Sequence, residues 1–543
     1  MDNNIYVFAK PQNEPSRNYI SGSEDRKLLK EAIDEICNSK PEITPIINGE
    51  KVFTNDIGSI VMPHDHNHVL AAYHKAGAKE TEHAIDAALA AHEAWGKVQW
   101  TERAAISQKI ATLIEKKYRY ILNAATMMGQ SKTAWQAEIE SASETIDYFR
   151  FTPYCMSQIY GVQPPSGTGE LNYVEYRALE GFVYAITPFN FTAIAANLPM
   201  APVLMGNTVV WKPSTTSLLS SYYLMKIFME AGVPAGVLNY MPGPGSIGSN
   251  VALRRRELAG VHFTGSTSVF KGLWKKVADN IDIYDSYPRI VGETGGKDFI
   301  FMHASADAKQ VAAAVMRGAY EYQGQKCSAT SRGYIPASRW PEFKSALLAM
   351  LGEIRVGDPR DFRNFVNAVI DEPAFDRCME YIEYAKKSPD AEILFGGTGD
   401  KSVGYFVQPT LIVAKDPHFK TMEEEIFGPI LTLYVYDDDK YEKTLHLCDK
   451  TSPYGLTGSV FAADRAAIAL ASDILRYAAG NLYINDKTTA ASVGLQPFGG
   501  ARASGTNDKA GSVFNLMRWT TPRSVKENFL PPSGFKYPFM MEE

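Results

Sequence analysis

Cys327 and Glu293 are the two residues whose types and spacing best suit joint chemistry. Cys327 lies in Gly-Gln-Lys-Cys-Ser (residues 324–328). Glu293 stands 34 residues upstream in Gly-Glu-Thr-Gly-Gly-Lys (residues 292–297). A thiolate supplies a nucleophile and a carboxylate supplies a base, which together point to covalent chemistry on a carbonyl. A free Cys is most often a small buried hydrophobe, and a Glu among glycines is often an exposed loop residue. Against those plain readings, Lys326 beside Cys327 would favour the thiolate. The glycines around Glu293 suit a backbone crowded against a ligand.

Other candidates lie upstream. Asn190, in Thr187-Pro-Phe-Asn-Phe, follows an apolar run and could donate its amide to a developing oxyanion; a turn Asn explains it as well. Phe189 and Phe191 suit either core or pocket wall. Lys212, in Trp-Lys-Pro-Ser, is exposed by Pro213 at a strand's C-terminal edge, where α/β sheets bind ligands. Gly265, Ser266 and Thr267 form a strand-to-helix turn that suits a phosphate or an ordinary N-cap equally. Gly243-Pro-Gly-Ser-Ile-Gly matches G-x-G-x-x-G, but a lone match is a weak signal and the acidic residue expected after the next strand is not clear, so a glycine-rich turn is the better reading. His64, His66 and His68 alternate, and a polar loop explains them better than a metal site, so no metal is expected.

The elements that must position these residues change rhythm along the chain. Residues 80–150 read as helices, with Ile106, Ile110, Leu113 and Ile114 on one face. Residues 161–180 break that pattern and end in a strand. Short β-branched runs follow at 182–186, 208–211, 237–241 and 261–263, which argues for βαβ units and a parallel sheet. A second alternating region has strands at 298–302, 333–335, 458–461 and 481–484, with a helix near 307–322. Two α/β domains are expected, meeting near 294–296.

The 543 residues allow two or more domains. A net charge of −6 without a long basic run disfavours nucleic acid and anionic membrane as partners. Five cysteines without a C-x-x-C pattern suit a reducing compartment. Residues 1–18 lack the apolar core of a signal peptide and the bias of a transit peptide, and no apolar run reaches membrane-spanning length. The cytoplasm is the expected location, with a processed mitochondrial form as the alternative.

Taken in order, residues 187–191, 211–214, 263–267, 292–297, 324–328 and 424–429 (Glu-Glu-Ile-Phe-Gly-Pro) make the chain resemble the aldehyde dehydrogenase superfamily over nearly its whole length. The stretches 185–193, 322–328 and 496–509 are similar to the branch that oxidises L-glutamate-γ-semialdehyde. The resemblance implies an α/β fold with a Rossmann-like NAD-binding domain (1–160 and 181–294), a catalytic domain (295–500) and a β oligomerisation flap (161–180 and 512–543). It implies Cys327 as nucleophile, Glu293 as base, and Asn190 with the Cys327 N–H as oxyanion hole. Thr187, Lys212, Gly265, Ser266, Glu425 and Phe427 would hold NAD. Phe191 and Phe498 would flank the substrate stem. Ser328 with the backbone of Ala490 and Ala491 would hold its carboxylate, and Glu144 would meet its ammonium.

Two departures matter. Ala490 and Ala491 replace the Gly-Ser or Gly-Ala pair frequent in relatives, losing a hydroxyl and stiffening the loop. Thr215 stands where many superfamily members carry a Glu that repels a 2′-phosphate, so NADP is less excluded although NAD is expected to be preferred. A homodimer or higher homo-oligomer is implied. The competing readings are another small acidic semialdehyde such as succinic semialdehyde as substrate, a non-catalytic binding protein, and a coenzyme A-acylating dehydrogenase. The presence of Cys327 and Glu293 disfavours the last two.

Overall fold

The structure is a computed structural model that describes residues 8–542. Met1–Val7, the first part of the N-terminal segment considered above, and Glu543 lie outside the described residues. Two seven-stranded sheets carry the architecture. In the first, Arg289–Glu293, Leu258–Thr264, Phe182–Ile186, Thr208–Lys212 and Leu238–Tyr240 run parallel in that spatial order, and two short antiparallel strands, Ile46–Ile47 and Glu50–Lys51, extend one edge. Thr208–Lys212 and Leu258–Thr264 are buried along their whole length, as befits parallel strands covered on both faces. One covering helix, Thr192–Leu204, is apolar nearly all round and buried except at Ile194, which is half-buried and lines the cavity beside Cys327.

The chain leaves this sheet at Glu293 and enters the second at Asp298. The second sheet orders Ala391–Phe395, Thr410–Ala414, Ile430–Tyr436, Thr330–Pro336, Asp298–Met302, Thr457–Phe461 and Asn481–Ile484. All its neighbours are parallel except the first pair. Every strand expected from the β-branched runs is present, and the helix expected near 307–322 spans Ala308–Tyr320. The helical stretch 80–150 is also present. The face through Ile110 and Ile114 is buried, but the helix Trp100–Leu113 continues into a π-turn, Ile114–Tyr118, before Arg119–Gln130.

The His64–His68 segment corrects the expectation of a loop. Only His64 lies in the turn; His66 and His68 belong to the strand Asp65–His74, which pairs with Ile57–Met62. Their alternation is the strand period of two. His66 Nε2 meets the Lys401 carbonyl and His68 Nε2 the Cys37 carbonyl, both at 3.0 Å. Among the described residues no group of three or more His, Cys, Asp or Glu side chains is arranged to hold a metal ion. No helix there is long and apolar enough to cross a membrane.

Residues 161–180 include the strand Glu170–Arg177. It pairs antiparallel over eight residues with Thr521–Asn528, so the excursion and the tail form one two-stranded ribbon.

Candidate active site

Four parallel strands of the first sheet end at one edge, and each delivers a residue singled out from the sequence. Ile186 leads into Thr187, Lys212 ends its own strand, Thr264 leads into Gly265, and Glu293 closes Arg289–Glu293. Ligand sites in open α/β sheets form at such C-terminal edges. The loop carrying Cys327 precedes Thr330–Pro336 of the second sheet and meets this edge at Gly296. A side chain on Gly296 would run into the Cys327 carbonyl, and one on Gly295 into the Glu425 carboxylate. The crowding read from these glycines is thus real, and the protein itself supplies the neighbours.

Cys327 opens partly onto a cavity of about 310 Å³. Burial, with the charges of Asp298, Glu293 and Glu425, holds its thiol well above the ordinary thiol range. Its backbone N–H donates to no acceptor among the described residues, leaving it free for an oxyanion. Three consecutive left-handed residues, Tyr322, Gln323 and Gly324, turn the chain into this loop (φ 49°, 57° and 66°). For the two non-glycine residues that conformation costs roughly 1–3 kcal/mol each. Buried Gln323 offsets it: its amide donates to the Ser131 and Ala368 carbonyls at 3.0 and 2.7 Å and accepts from Asn367 N at 2.9 Å.

Glu293 turns its carboxyl toward the Gly500 backbone and the Lys509 ammonium. Burial nonetheless raises it well above the usual carboxylate range. Its Oε2 is buried without a partner among the described residues, an acceptor position open to a water proton. Asn190 is buried, and its Nδ2 donates to the Gln325 carbonyl at 3.2 Å, which uses one of its two hydrogens.

The cavity collects Cys327 and all six residues expected to bind substrate: Phe191, Ser328, Ala490, Ala491, Phe498 and Glu144. Neither Glu293 nor Asn190 lines it. Glu140, Glu144 and Asp147 also reach the cavity, as do Lys326 and Lys487, so both signs of charge face its interior. Burial pushes Glu144 up to about 8 and Asp147 up to about 6. The backbone N–H groups of Ala490 and Ala491 donate to no acceptor among the described residues.

The remaining candidates suit a dinucleotide. Lys212 is buried without a carboxylate partner among the described residues, which lowers its ammonium to about 8, and it lies against Gly245. An unpaired buried cation is costly unless a ligand completes its bonding. Ser266 caps the helix Thr267–Asp279, accepting from Val269 N at 3.4 Å, and is exposed at that positive helix end. Glu425 accepts from Gly296 N at 2.9 Å, and Phe427 packs edge-on against Phe189 with ring centroids 5.9 Å apart. Gly243 and Gly248 lack side chains for packing reasons: a Cβ there would meet Ala76 and Tyr184.

Sequence reasoning missed the support behind Asn190. Lys132, fully buried, donates to the Asn190 carbonyl and to Glu140 Oε1, each at 2.6 Å. Glu140 Oε2 accepts from Thr192 N at 2.7 Å. The Lys132 ammonium also lies 4.6 Å from the Phe191 ring centre and 4.2 Å from that of Tyr322. A lysine between two strongly buried helices, with acids eight residues on, was the available signal. Asn13 and Asp147 on the cavity wall were also missed, because an N-terminal segment gives no local hint of where it docks.

A family model described as aldehyde dehydrogenase family matches residues 54–525. The chain belongs to the aldehyde dehydrogenase family. Among members of this family, delta-1-pyrroline-5-carboxylate dehydrogenase, mitochondrial, of Dictyostelium discoideum is 51% identical over 98% of this chain and 96% of its own length. The Homo sapiens protein of the same name is 46% identical over 98% and 94%. The crystal structure of the Delta-pyrroline-5-carboxylate dehydrogenase from Mycobacterium tuberculosis bound with NAD superposes with a TM-score of 0.96 at 46% identity, covering 100% of both chains.

Proposed function

We propose that this aldehyde dehydrogenase oxidises L-glutamate-γ-semialdehyde, the open form of Δ1-pyrroline-5-carboxylate, to L-glutamate with NAD, the second step of proline breakdown. The observation that carries the reading is the cavity beside Cys327, which presents carboxylates, ammonium groups and two unused backbone N–H donors together. An amino-acid aldehyde carries both charges and needs partners for each. The names of the relatives point the same way.

In this reading the Cys327 thiolate attacks the aldehyde carbon, and the Asn190 amide and the Cys327 N–H receive the oxyanion. NAD, when bound, supplies the hydride acceptor; Thr187, Lys212, Gly265, Ser266, Glu425 and Phe427 would hold it. Glu293 takes the proton of the water that releases glutamate from the Cys327 thioester. Phe191 and Phe498 flank the aliphatic stem. Ser328 and the Ala490–Ala491 backbone hold the carboxylate, and Glu144 meets the ammonium. NAD is preferred over NADP. The first sheet with residues 1–160 and 181–294 serves the cofactor, and 295–500 the covalent chemistry.

Glutamate-γ-semialdehyde should be favoured over succinic semialdehyde in kcat/KM by roughly tenfold or more, the cost of leaving a buried charge without its partner. A clear preference for succinic semialdehyde would sink the assignment.

The assembly proposed is a homodimer built on the ribbon and the tail. Phe529, Leu530, Phe535, Tyr537, Phe539 and Met541 are all more than half exposed within a few residues of each other along the chain. An apolar surface of that kind is normally covered by a partner. Light scattering at micromolar concentration should give at least twice the chain mass; a monomer mass would contradict it. The five free thiols suit the reducing interior of the cell, cytoplasm or mitochondrial matrix.

A further inference from the structure

We infer that Asn13 is a positioning residue for the loop that carries Ala490 and Ala491, clasping that loop to the helix Glu144–Tyr160. Its Nδ2 donates to Asp147 Oδ2 at 2.7 Å and to the Val493 carbonyl at 2.8 Å. An amide nitrogen has two hydrogens, so one side chain serves both acceptors. The Glu14 backbone N–H donates to the other Asp147 oxygen at 2.7 Å, which fixes the carboxylate that Asn13 holds. The loop is pinned again on its other flank, where Thr488 Oγ1 donates to the Ser328 carbonyl at 2.7 Å. Between the two pins lie residues 489–492, with the free N–H groups of Ala490 and Ala491.

Ala490 and Ala491 bring no hydroxyl of their own, so the placement of their two backbone donors decides how well they bind a carboxylate. Thr488 places one end by way of the residue next to Cys327. Asn13 places the other by way of the helix that carries Glu144. The carboxylate donors and the carboxylates that face an ammonium are thereby held at a fixed separation, which rewards a substrate carrying both groups. The inference rests on the substrate reading above. The N-terminal segment keeps other anchors without Asn13: Arg17 N donates to Glu138 at 2.8 Å, and Glu14 pairs with Arg150 at 2.7 Å and with Arg119. Val493 stays packed with Tyr148, Phe151 and Ala193.

The test compares Asn13→Ala and Asn13→Asp with the wild-type full chain, using glutamate-γ-semialdehyde and propanal as substrates. In Asn13→Ala, KM for the semialdehyde should rise roughly tenfold, as for loss of hydrogen bonds to a charged group, while kcat stays within about twofold. Asn13→Asp, which lacks both donors and repels Asp147, should lose more. kcat/KM for propanal, which has no carboxylate, should not change in either variant. An unchanged KM, or equal losses for both aldehydes, overturns the inference. A wild-type enzyme that handles both aldehydes equally overturns the substrate reading and this inference together. A wild-type preference that survives undiminished in both variants overturns this inference alone.

Discussion

Cys327→Ala is expected to reduce NADH formation to background, a loss on the order of 10⁵-fold or more, as in other enzymes stripped of a covalent nucleophile. Its melting temperature should match wild type, because the side chain is partly exposed on a cavity and a Cβ remains to line it. Background rates in both proteins would instead support a non-catalytic member of the family. The pH dependence has a definite sign. Burial penalises the anionic forms of both Cys327 and Glu293, raising both groups above their ordinary ranges. In the proposed mechanism the working forms are the thiolate and the carboxylate, so raising the pH favours both. Alkylation of Cys327 by iodoacetamide in the cofactor-free enzyme should climb with pH, with a midpoint above the ordinary thiol range. Glu293→Gln removes one of the carboxylates that raise the thiol and should move that midpoint down. A wild-type midpoint at or below the ordinary range would show that the surroundings stabilise the thiolate instead.

The residues at the ends of the strands were legible because their signals are local. A β-branched run followed by Thr187, Lys212, Gly265 or Glu293 states both the strand and what lies at its edge. The cavity lining was legible through resemblance, residue by residue, including Phe498 and the Ala490–Ala491 loop. Pairings between distant segments were not. Lys132 reads as a polar residue at a helix break, and nothing in Gly-Gln-Ser-Lys-Thr says that its ammonium reaches the carbonyl of Asn190, 58 residues on. Asn13 is separated from Val493 by 480 residues. The left-handed turn at Tyr322 and Gln323 was hidden for a related reason. Such residues prefer other conformations, and only the tertiary bonds of Gln323 impose this one. The His66–His68 strand was misread because its first residues, Asp65-His-Asn-His68, are all polar and its pairing with Ile57–Met62 is interrupted by register shifts.

Lys132→Met is expected to reduce both stability and turnover, and the two losses should separate. The Lys132–Glu140 pair is buried and hydrogen-bonded on both sides. Removing the cation leaves Glu140 uncompensated, at a cost of about 3–5 kcal/mol. It also removes the donor that fixes the Asn190 carbonyl and the cation that lies over the Phe191 and Tyr322 rings. The amide proposed to receive the oxyanion and the turn leading to Cys327 are therefore both held by one ammonium. Loosening an oxyanion donor lowers kcat by roughly 10²–10³-fold. The double variant Lys132→Met with Glu140→Gln takes out both charges. The amide oxygen introduced by Glu140→Gln can still accept from Thr192 N, so the melting temperature should recover most of the way toward wild type. kcat should stay low, because the Asn190 carbonyl still lacks its donor. Recovery of kcat together with stability would mean that Lys132 only neutralises a buried acid and does not position the oxyanion site.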